Sequence, residues 1–200
     1  MPQNRPAIEV DVVMRREPVS GPMSRWQAWR WVLADVLLRH TPEETAALAP
    51  DALHTPEAVE PVDGPSPDGV SHWLFPRFRV VLYRDDAEGY FLNLSSPSPC
   101  FWVVWRPDED QPLDGEALAV PQTVTLSYHD AGRWLDAQER VDQVPAAPEV
   151  LDWLRSFVDA TYQPEPKRRQ RPQSFKPLTD RFGQPVRIST DKPHKPPHHP

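Results

Sequence analysis

Proline is the residue that most restricts how this chain can fold. The sequence has 27 prolines and only seven glycines in 200 residues, whereas proline makes up about 5% of an average protein. Proline lacks a backbone N–H and fixes φ, so it interrupts helices and the interiors of sheets. The sequence therefore predicts short regular elements, long connections and some disorder.

The distribution of charge divides the chain into two parts. Residues 1–162 carry 13 basic and 26 acidic side chains, whereas residues 163–200 carry nine basic and three acidic ones. A hydrophobic content of 38% over this length suits one globular domain. We expect a single β-rich domain at 1–162, with an acidic, proline-rich loop inserted at 40–72, and a disordered basic tail at 163–200.

Alternation of apolar and polar residues predicts most of the strands. Val10, Val12 and Met14 alternate with polar residues, which is the pattern of a half-buried strand. Comparable patterns predict strands at 26–38, 77–83, 90–94, 101–105, 120–127 and 140–144. The polar break between 77–83 and 90–94 predicts a β-hairpin, and 108–115 is expected to be a polar connection.

Two helices are predicted near the end of the domain, at 129–138 and from Pro148 onward. The second has an apolar stripe formed by Val150, Leu151, Leu154, Phe157 and Val158, with proline at a position that a first helical turn accepts. We therefore predict a mainly β (α+β) fold. Its expected form is an antiparallel meander or small barrel-like roll, capped by the C-terminal amphipathic helix.

The sequence contains no recognisable catalytic motif. Its glycines are not spaced as in a phosphate-binding loop or a nucleophile elbow. Cys100 has no partner base in the sequence and is expected to be buried and inert. Carboxylates at 85–88 and 108–110 fall in predicted turns, and the histidines at 194–199 lack a preformed metal site. We expect no catalytic residue, no metal, no cofactor and no enzymatic activity.

The expected location is the cytoplasm. Cys100 is the only cysteine, so an internal disulfide is impossible. The N-terminal residues lack the apolar run of a signal peptide, and no stretch approaches about 18 consecutive apolar residues. We therefore expect a soluble protein without a membrane span.

Two groups of residues are candidates for binding a partner. Arg25, Trp26 and Trp31 combine arginine with tryptophan, as protein-binding surfaces do, although packing in the core is the simpler interpretation of these tryptophans. Tyr90 and Asn93 are expected near them, where a barrel mouth would hold a small ligand or substrate. The second group is the basic part of the tail: Lys167, Arg168, Arg169, Arg171 and Lys176.

Several segments taken together resemble a known family. They are Val12-Val13-Met14-Arg15-Arg16, Ser24-Arg25-Trp26-Gln27 with Trp31, Tyr90-Phe91-Leu92-Asn93-Leu94, 121–128, 144–153, the basic run Lys167-Arg168-Arg169 and Ser174-Phe175-Lys176. The family is a proteobacterial one of unknown function, encoded beside molybdenum-dependent formate dehydrogenase. The resemblance implies a non-catalytic accessory protein that assists assembly, maturation or regulation of that enzyme. Its implied partner is a formate dehydrogenase subunit or maturation protein.

Two other functions remain open from the residues alone. One is a small-ligand-binding or enzymatic β-barrel domain, and the other is a nucleic-acid or regulatory module that uses the basic tail. The acidic domain next to the tail would repel phosphate, which speaks against specific nucleic-acid binding.

Overall fold

A computed structural model of the chain describes residues 5–47 and 69–163. Backbone contacts divide the chain into Met1–Pro164 and Glu165–Pro200, so every described residue belongs to the first unit. Residues 164–200 of the predicted disordered tail lie outside the described residues, together with positions 48–68 of the predicted acidic loop.

The described residues form six strands, four α-helices and two short 3₁₀ turns. In chain order they are β1 (Ala7–Pro18), a 3₁₀ turn (Pro22–Arg25), β2 (Trp29–His40), α1 (Pro42–Ala47), β3 (Ser71–Val81), a second 3₁₀ turn (Arg84–Asp86), α2 (Ala87–Leu94), β4 (Cys100–Leu113), β5 (Glu116–Thr125), α3 (Tyr128–Asp136), β6 (Arg140–Pro145) and α4 (Pro148–Thr161). None of these described helices is both long and apolar enough to cross a membrane.

The strands form two antiparallel sheets of three strands each, in the orders β2–β1–β3 and β5–β4–β6. This confirms the predicted mainly β, α+β fold. The expected four-strand meander does not form, because α2 separates β3 from β4 along the chain and β4 lies between β5 and β6. Among the described residues, the two sheets do not close into a barrel.

One apolar core joins the two sheets. Alternate residues of the central strand β1, among them Val10, Val12 and Met14, are fully buried, and Phe101 and Val103 of the central strand β4 belong to the same cluster. Because side chains alternate between the faces of a strand, each central strand gives one face to this core.

Asp142 on β6 connects the two sheets by hydrogen bonds. Its Oδ2 accepts from the backbone N–H of Leu33 on β2 at 3.2 Å and from the indole Nε1 of Trp105 on β4 at 3.0 Å. A carboxylate that accepts two N–H groups fixes the position of β6 relative to β2.

The C-terminal amphipathic helix is confirmed as α4. Its buried residues Val150, Leu154 and Val158 are spaced by four positions and belong to the main core, and Pro148 occupies the first turn. The predicted helix at 129–138 is also confirmed as α3, where the hydroxyl of Ser127 accepts from the Asp130 N–H as an N-cap.

The predicted strand at 90–94 is wrong, because this segment belongs to α2. Its buried residues Ala87, Tyr90 and Asn93 are three positions apart, which places them on one helix face. Gly89 is also buried, and a Cβ atom there would collide with the Ser127 hydroxyl. In a segment this short, the apolar residues fit both a helical and a strand period, and close packing against Ser127 favours the helix.

The predicted polar connection at 108–115 is wrong for most of its length. Strand β4 continues through this segment to Leu113 and pairs with β5, leaving only Asp114 and Gly115 as the turn. Both turn residues have positive φ, 51° and 84°, as a two-residue hairpin loop requires. Polar residues are accepted here because this end of β4 is largely exposed.

The hydrogen bonds of Asn93 provide a test of the fold. Asn93 is completely buried, and its side chain donates to the carbonyls of Cys100 and Leu126 and accepts from the Cys100 N–H, all at 2.9–3.0 Å. Replacing Asn93 with Ala removes one hydrogen-bond partner from each of three buried backbone groups. We expect Asn93→Ala to lower the free energy of unfolding by about 3 kcal/mol in urea titrations.

Gln122 supplies the control for that measurement. Its exposed side chain donates one hydrogen bond to the Val120 carbonyl, so Gln122→Ala should change stability by less than about 0.5 kcal/mol. Equal losses in the two variants would contradict the structural role given to Asn93.

Candidate partner-binding site

The loop between β1 and β2, residues 19–28 (the hairpin tip), projects beyond the paired strands. The Val19 N–H donates to the Ala28 carbonyl at 2.9 Å, which closes the hairpin after the last strand pair, Pro18 with Trp29. Gly21 has φ of 84°, a conformation that favours glycine. It allows the chain to turn into the 3₁₀ segment that begins at Pro22.

Hydrogen bonds hold the hairpin tip in a defined conformation. The Ser24 hydroxyl donates to the Gly21 carbonyl at 2.8 Å, and the backbone N–H groups of Trp26 and Gln27 both donate to the Met23 carbonyl. The tip is therefore a folded turn that presents its side chains from a fixed backbone.

Two large apolar side chains are exposed on the hairpin tip. Trp26 is 86% exposed and Met23 is 61% exposed, although both are residues that proteins usually bury. Large exposed apolar groups that lie close together are typical of surfaces that bind another molecule.

The hairpin tip and the strand ends next to it are positively charged. Residues 15–31 contain four arginines and a single acidic residue, Glu17, whereas residues 1–162 as a whole carry twice as many acidic as basic side chains. Hydrogen bonding from Arg30 and the charge of Arg15 lower the pKa of Glu17, so this carboxylate stays ionised and shared between two arginines. Arg25 is exposed on the tip itself.

Arg16 lies below the hairpin tip and is the most deeply buried charge of this region. Its side chain is 6% exposed and its Nη1 donates to Asp114 Oδ2 at 2.7 Å. The guanidinium carbon stands 4.2 Å from the ring centroid of Trp29, which is a cation–π contact. Among the described residues, no group accepts a hydrogen bond from the buried Nε and Nη2 atoms.

Tryptophan side chains surround this arginine on the inner face of its sheet. Arg16 is directly opposite Trp31 in the β1–β2 pairing, and Trp73 is opposite Met14 in the β1–β3 pairing. The rings of Trp31 and Trp73 meet edge to face, with centroids 6.0 Å apart. The Trp73 indole donates to Ser71 Oγ at 3.1 Å, but the buried Nε1 of Trp31 has no partner within the described residues.

The structure brings only some of the predicted binding residues together. Arg25 and Trp26 are exposed on the hairpin tip, and half-buried Trp31 lies on the adjoining strand. Tyr90 and Asn93 are instead in the interior, where the Tyr90 hydroxyl accepts from the Tyr83 N–H and Asn93 bonds to the backbone. The basic residues of the second predicted group, Lys167, Arg168, Arg169, Arg171 and Lys176, lie outside the described residues.

Sequence reasoning missed Arg16, although the sequence contained a signal for it. Val10, Val12 and Met14 mark the buried face of β1, and position 16 continues the same alternation. A charged residue at a position that the pattern assigns to the core is a candidate functional residue. The partner Asp114 could not be found in this way, because it lies 98 residues away in sequence.

Cys100 is buried between the second sheet and α3. Its thiol donates weakly to Gln143 Oε1 at 3.8 Å, and burial raises its pKa to about 11. A thiol with a raised pKa is a poor nucleophile at neutral pH, because the thiolate is the reactive form. No cluster of three His, Cys, Asp or Glu side chains suited to a metal ion occurs in the described part of the chain.

Comparison with known proteins places the chain in a family. Residues 9–171 match the family model described as a protein of unknown function, DUF3305, and the chain therefore belongs to this family. That description assigns neither an activity nor a partner. No curated protein and no solved structure matches the chain.

The raised pKa of Cys100 gives a test of its burial. In an unfolded chain a cysteine has a pKa near 8.5, so at about that pH native Cys100 should react with a disulfide reagent roughly 100-fold more slowly than the protein in concentrated urea. The Cys100 thiol loses its proton at a lower pH in the unfolded state than in the native state. The Cys100 contribution to stability should therefore decline as the pH rises from about 8.5 toward about 11. Native and unfolded rates within tenfold of each other, roughly one pKa unit, would contradict this assignment.

Proposed function

We propose that this DUF3305 protein is a non-catalytic, cytoplasmic accessory protein that binds another protein through its hairpin tip. The observation that carries the proposal is the 86% exposure of Trp26 on a turn whose backbone is already hydrogen-bonded. Two potentially reactive side chains support the non-catalytic part of the proposal. The pKa of the Cys100 thiol is raised, and Tyr90 is buried.

A tryptophan in this setting is suited to be the central contact of an interface. Tryptophan and arginine are the residues that most often dominate binding energy, and Trp26 is next to Arg25 in the sequence. Because the turn is already folded, little conformational entropy would be lost when it docks. Met23, also exposed on the tip, adds a flexible apolar contact.

Charge indicates which kind of partner surface the tip would select. Residues 15–31 are net positive within an acidic domain, so an acidic surface would be attracted to this end of the molecule. The same surface would be repelled by the remainder of the domain, which would orient the approaching partner and raise its association rate. The proposed partner surface is acidic, with an apolar slot for an indole.

The family resemblance supplies the proposed identity of that partner. Among the segments that carry the resemblance, Ser24-Arg25-Trp26-Gln27 lies on the hairpin tip and residues 12–16 lie on β1, beside it. We therefore propose a subunit or maturation protein of formate dehydrogenase as the partner, with a role in assembly, maturation or regulation.

The proposal can be tested with purified formate dehydrogenase subunits and maturation proteins. The wild-type chain should bind one of them in calorimetry, and Trp26→Ala should weaken that complex about 30-fold or more, which corresponds to roughly 2 kcal/mol. Because Trp26 is exposed, the same change should leave the melting temperature within about 2 °C of wild type. Raising the salt concentration should slow association.

Leu135 provides the matched control. It is 57% exposed on α3, so Leu135→Ala also removes an exposed apolar side chain but should change affinity by less than about twofold. Equal affinity of Trp26→Ala and the wild-type chain would overturn the role of the hairpin tip. Failure of every purified subunit and maturation protein to bind would overturn the proposed partner.

A further inference from the structure

The guanidinium of Arg16 is buried, and the described part of the chain offers it fewer hydrogen-bond acceptors than it has donors. An arginine side chain keeps its charge at any ordinary pH and has five N–H donors. In the described residues, only Nη1 has an acceptor, Asp114 Oδ2, and that carboxylate is 71% exposed. A buried charged group with unpaired donors is unfavourable unless another group or ligand satisfies it.

The two Arg16 atoms without an acceptor among the described residues, Nε and Nη2, lie on one edge of the guanidinium plane. Nε and Nη2 point in the same direction, and this edge matches the two oxygens of a carboxylate in a bidentate pair. Asp114 binds Nη1 on the other side of the group, so it leaves this edge free. Trp29 stacks over the face of the group at 4.2 Å and thereby holds its plane.

A further donor comes from Trp31. Arg16 and Trp31 are directly opposite each other in the antiparallel pairing, so their side chains lie on the same face of the sheet. The indole Nε1 of Trp31 is buried and has no acceptor in the described part of the chain. Two neighbouring side chains thus present three buried donor atoms, and a ligand rich in acceptors would satisfy them.

We infer that Arg16 and Trp31 form a binding site for a carboxylate group. Arg16 and Asp114 carry opposite single charges, so a ligand with one negative charge leaves an excess of only one negative charge, and the Asp114 carboxylate is largely exposed to solvent. A phosphate dianion would place two further charges in a site lined by indole rings, where charge is poorly solvated. The shape of the free edge and the neutral sum of the Arg16 and Asp114 charges both favour a planar ligand with a single negative charge, as a carboxylate is.

Trp29, which stacks over the guanidinium face, places this site next to the hairpin tip. This residue is half-buried and stands at the end of the β1–β2 ladder, where its last partner is Pro18. It adjoins the hairpin tip, so the site lies at the same end of the molecule that presents Trp26. The carboxylate is either that of a free small acid or one carried by a bound protein.

The site can be tested on the full chain by NMR, without any partner. Sodium acetate is titrated against sodium chloride at equal ionic strength while the signals of the Arg16 Nε–H and the Trp31 indole N–H are followed. We expect a saturable shift of both signals with acetate and none with chloride. Absence of a saturable acetate shift would overturn the site, and equally tight binding of inorganic phosphate would overturn its assignment to carboxylates.

Three variants separate binding from folding. Arg16→Lys should keep the charge but remove the bidentate edge, so acetate should no longer shift the Trp31 signal. Trp31→Phe keeps the aromatic packing and removes one donor, and it should weaken acetate binding about tenfold. Arg15→Lys changes the neighbouring arginine on the opposite face of β1 and should bind acetate as the wild type does. Unchanged binding in Trp31→Phe and Arg16→Lys would contradict the inference.

A second titration distinguishes the two sources of the carboxylate. If a protein partner supplies it, the Arg16 Nε–H signal shifts when the complex forms, and acetate weakens that complex. If the ligand is a free acid, acetate binds the complex and the chain alone equally well. The titration of the chain alone does not depend on the hairpin tip, so its result is independent of the Trp26→Ala experiment.

Discussion

Burial of one face of β1 and one face of β4 in a common core is the constraint on which this structure depends. Each strand is central in its sheet, and each contributes its alternate apolar residues to a single cluster. The edge strands, α2 and α4 add to that cluster. Asp142 on β6 then fixes the two sheets to each other, because it accepts hydrogen bonds from Leu33 on β2 of one sheet and from Trp105 on β4 of the other. Apolar burial supplies the stability, and the half-buried carboxylate of Asp142 supplies the alignment.

The same alternation that builds the core also creates the polar site at its end. Arg16 continues the buried face of β1 beyond Met14, so the backbone geometry that buries the apolar residues also buries a charge. Asp114 and Trp29 compensate that charge only in part. The hairpin tip extends beyond the last β1–β2 pair, Pro18 with Trp29, and Trp26 on it is exposed. Both proposed binding features therefore lie at one end of the domain.

The sequence predicted the β class, the first strand, α3 and α4, because each of these shows a clear period over enough residues. It failed at 87–94, where eight residues fit either period and contacts with distant parts of the chain favour the helix. Gly89 against Ser127 and Asn93 against the Leu126 carbonyl are such contacts. The sequence also indicated Trp26 and Arg25 as surface candidates, but it grouped them with Tyr90 and Asn93, which the fold buries.

The sequence by itself determined the strands with strong alternation, the C-terminal amphipathic helix and the division of charge along the chain, because these are local or compositional properties. Only the tertiary structure decided that the strands form two sheets and that α2 is a helix. It also decided that, among the described residues, the buried Nε and Nη2 of Arg16 have no acceptor and that Trp26 is exposed. These features depend on which distant residues meet, as Arg16 meets Asp114 across 98 positions. Local periodicity carries no information about such pairs, because the same alternation is compatible with several strand orders.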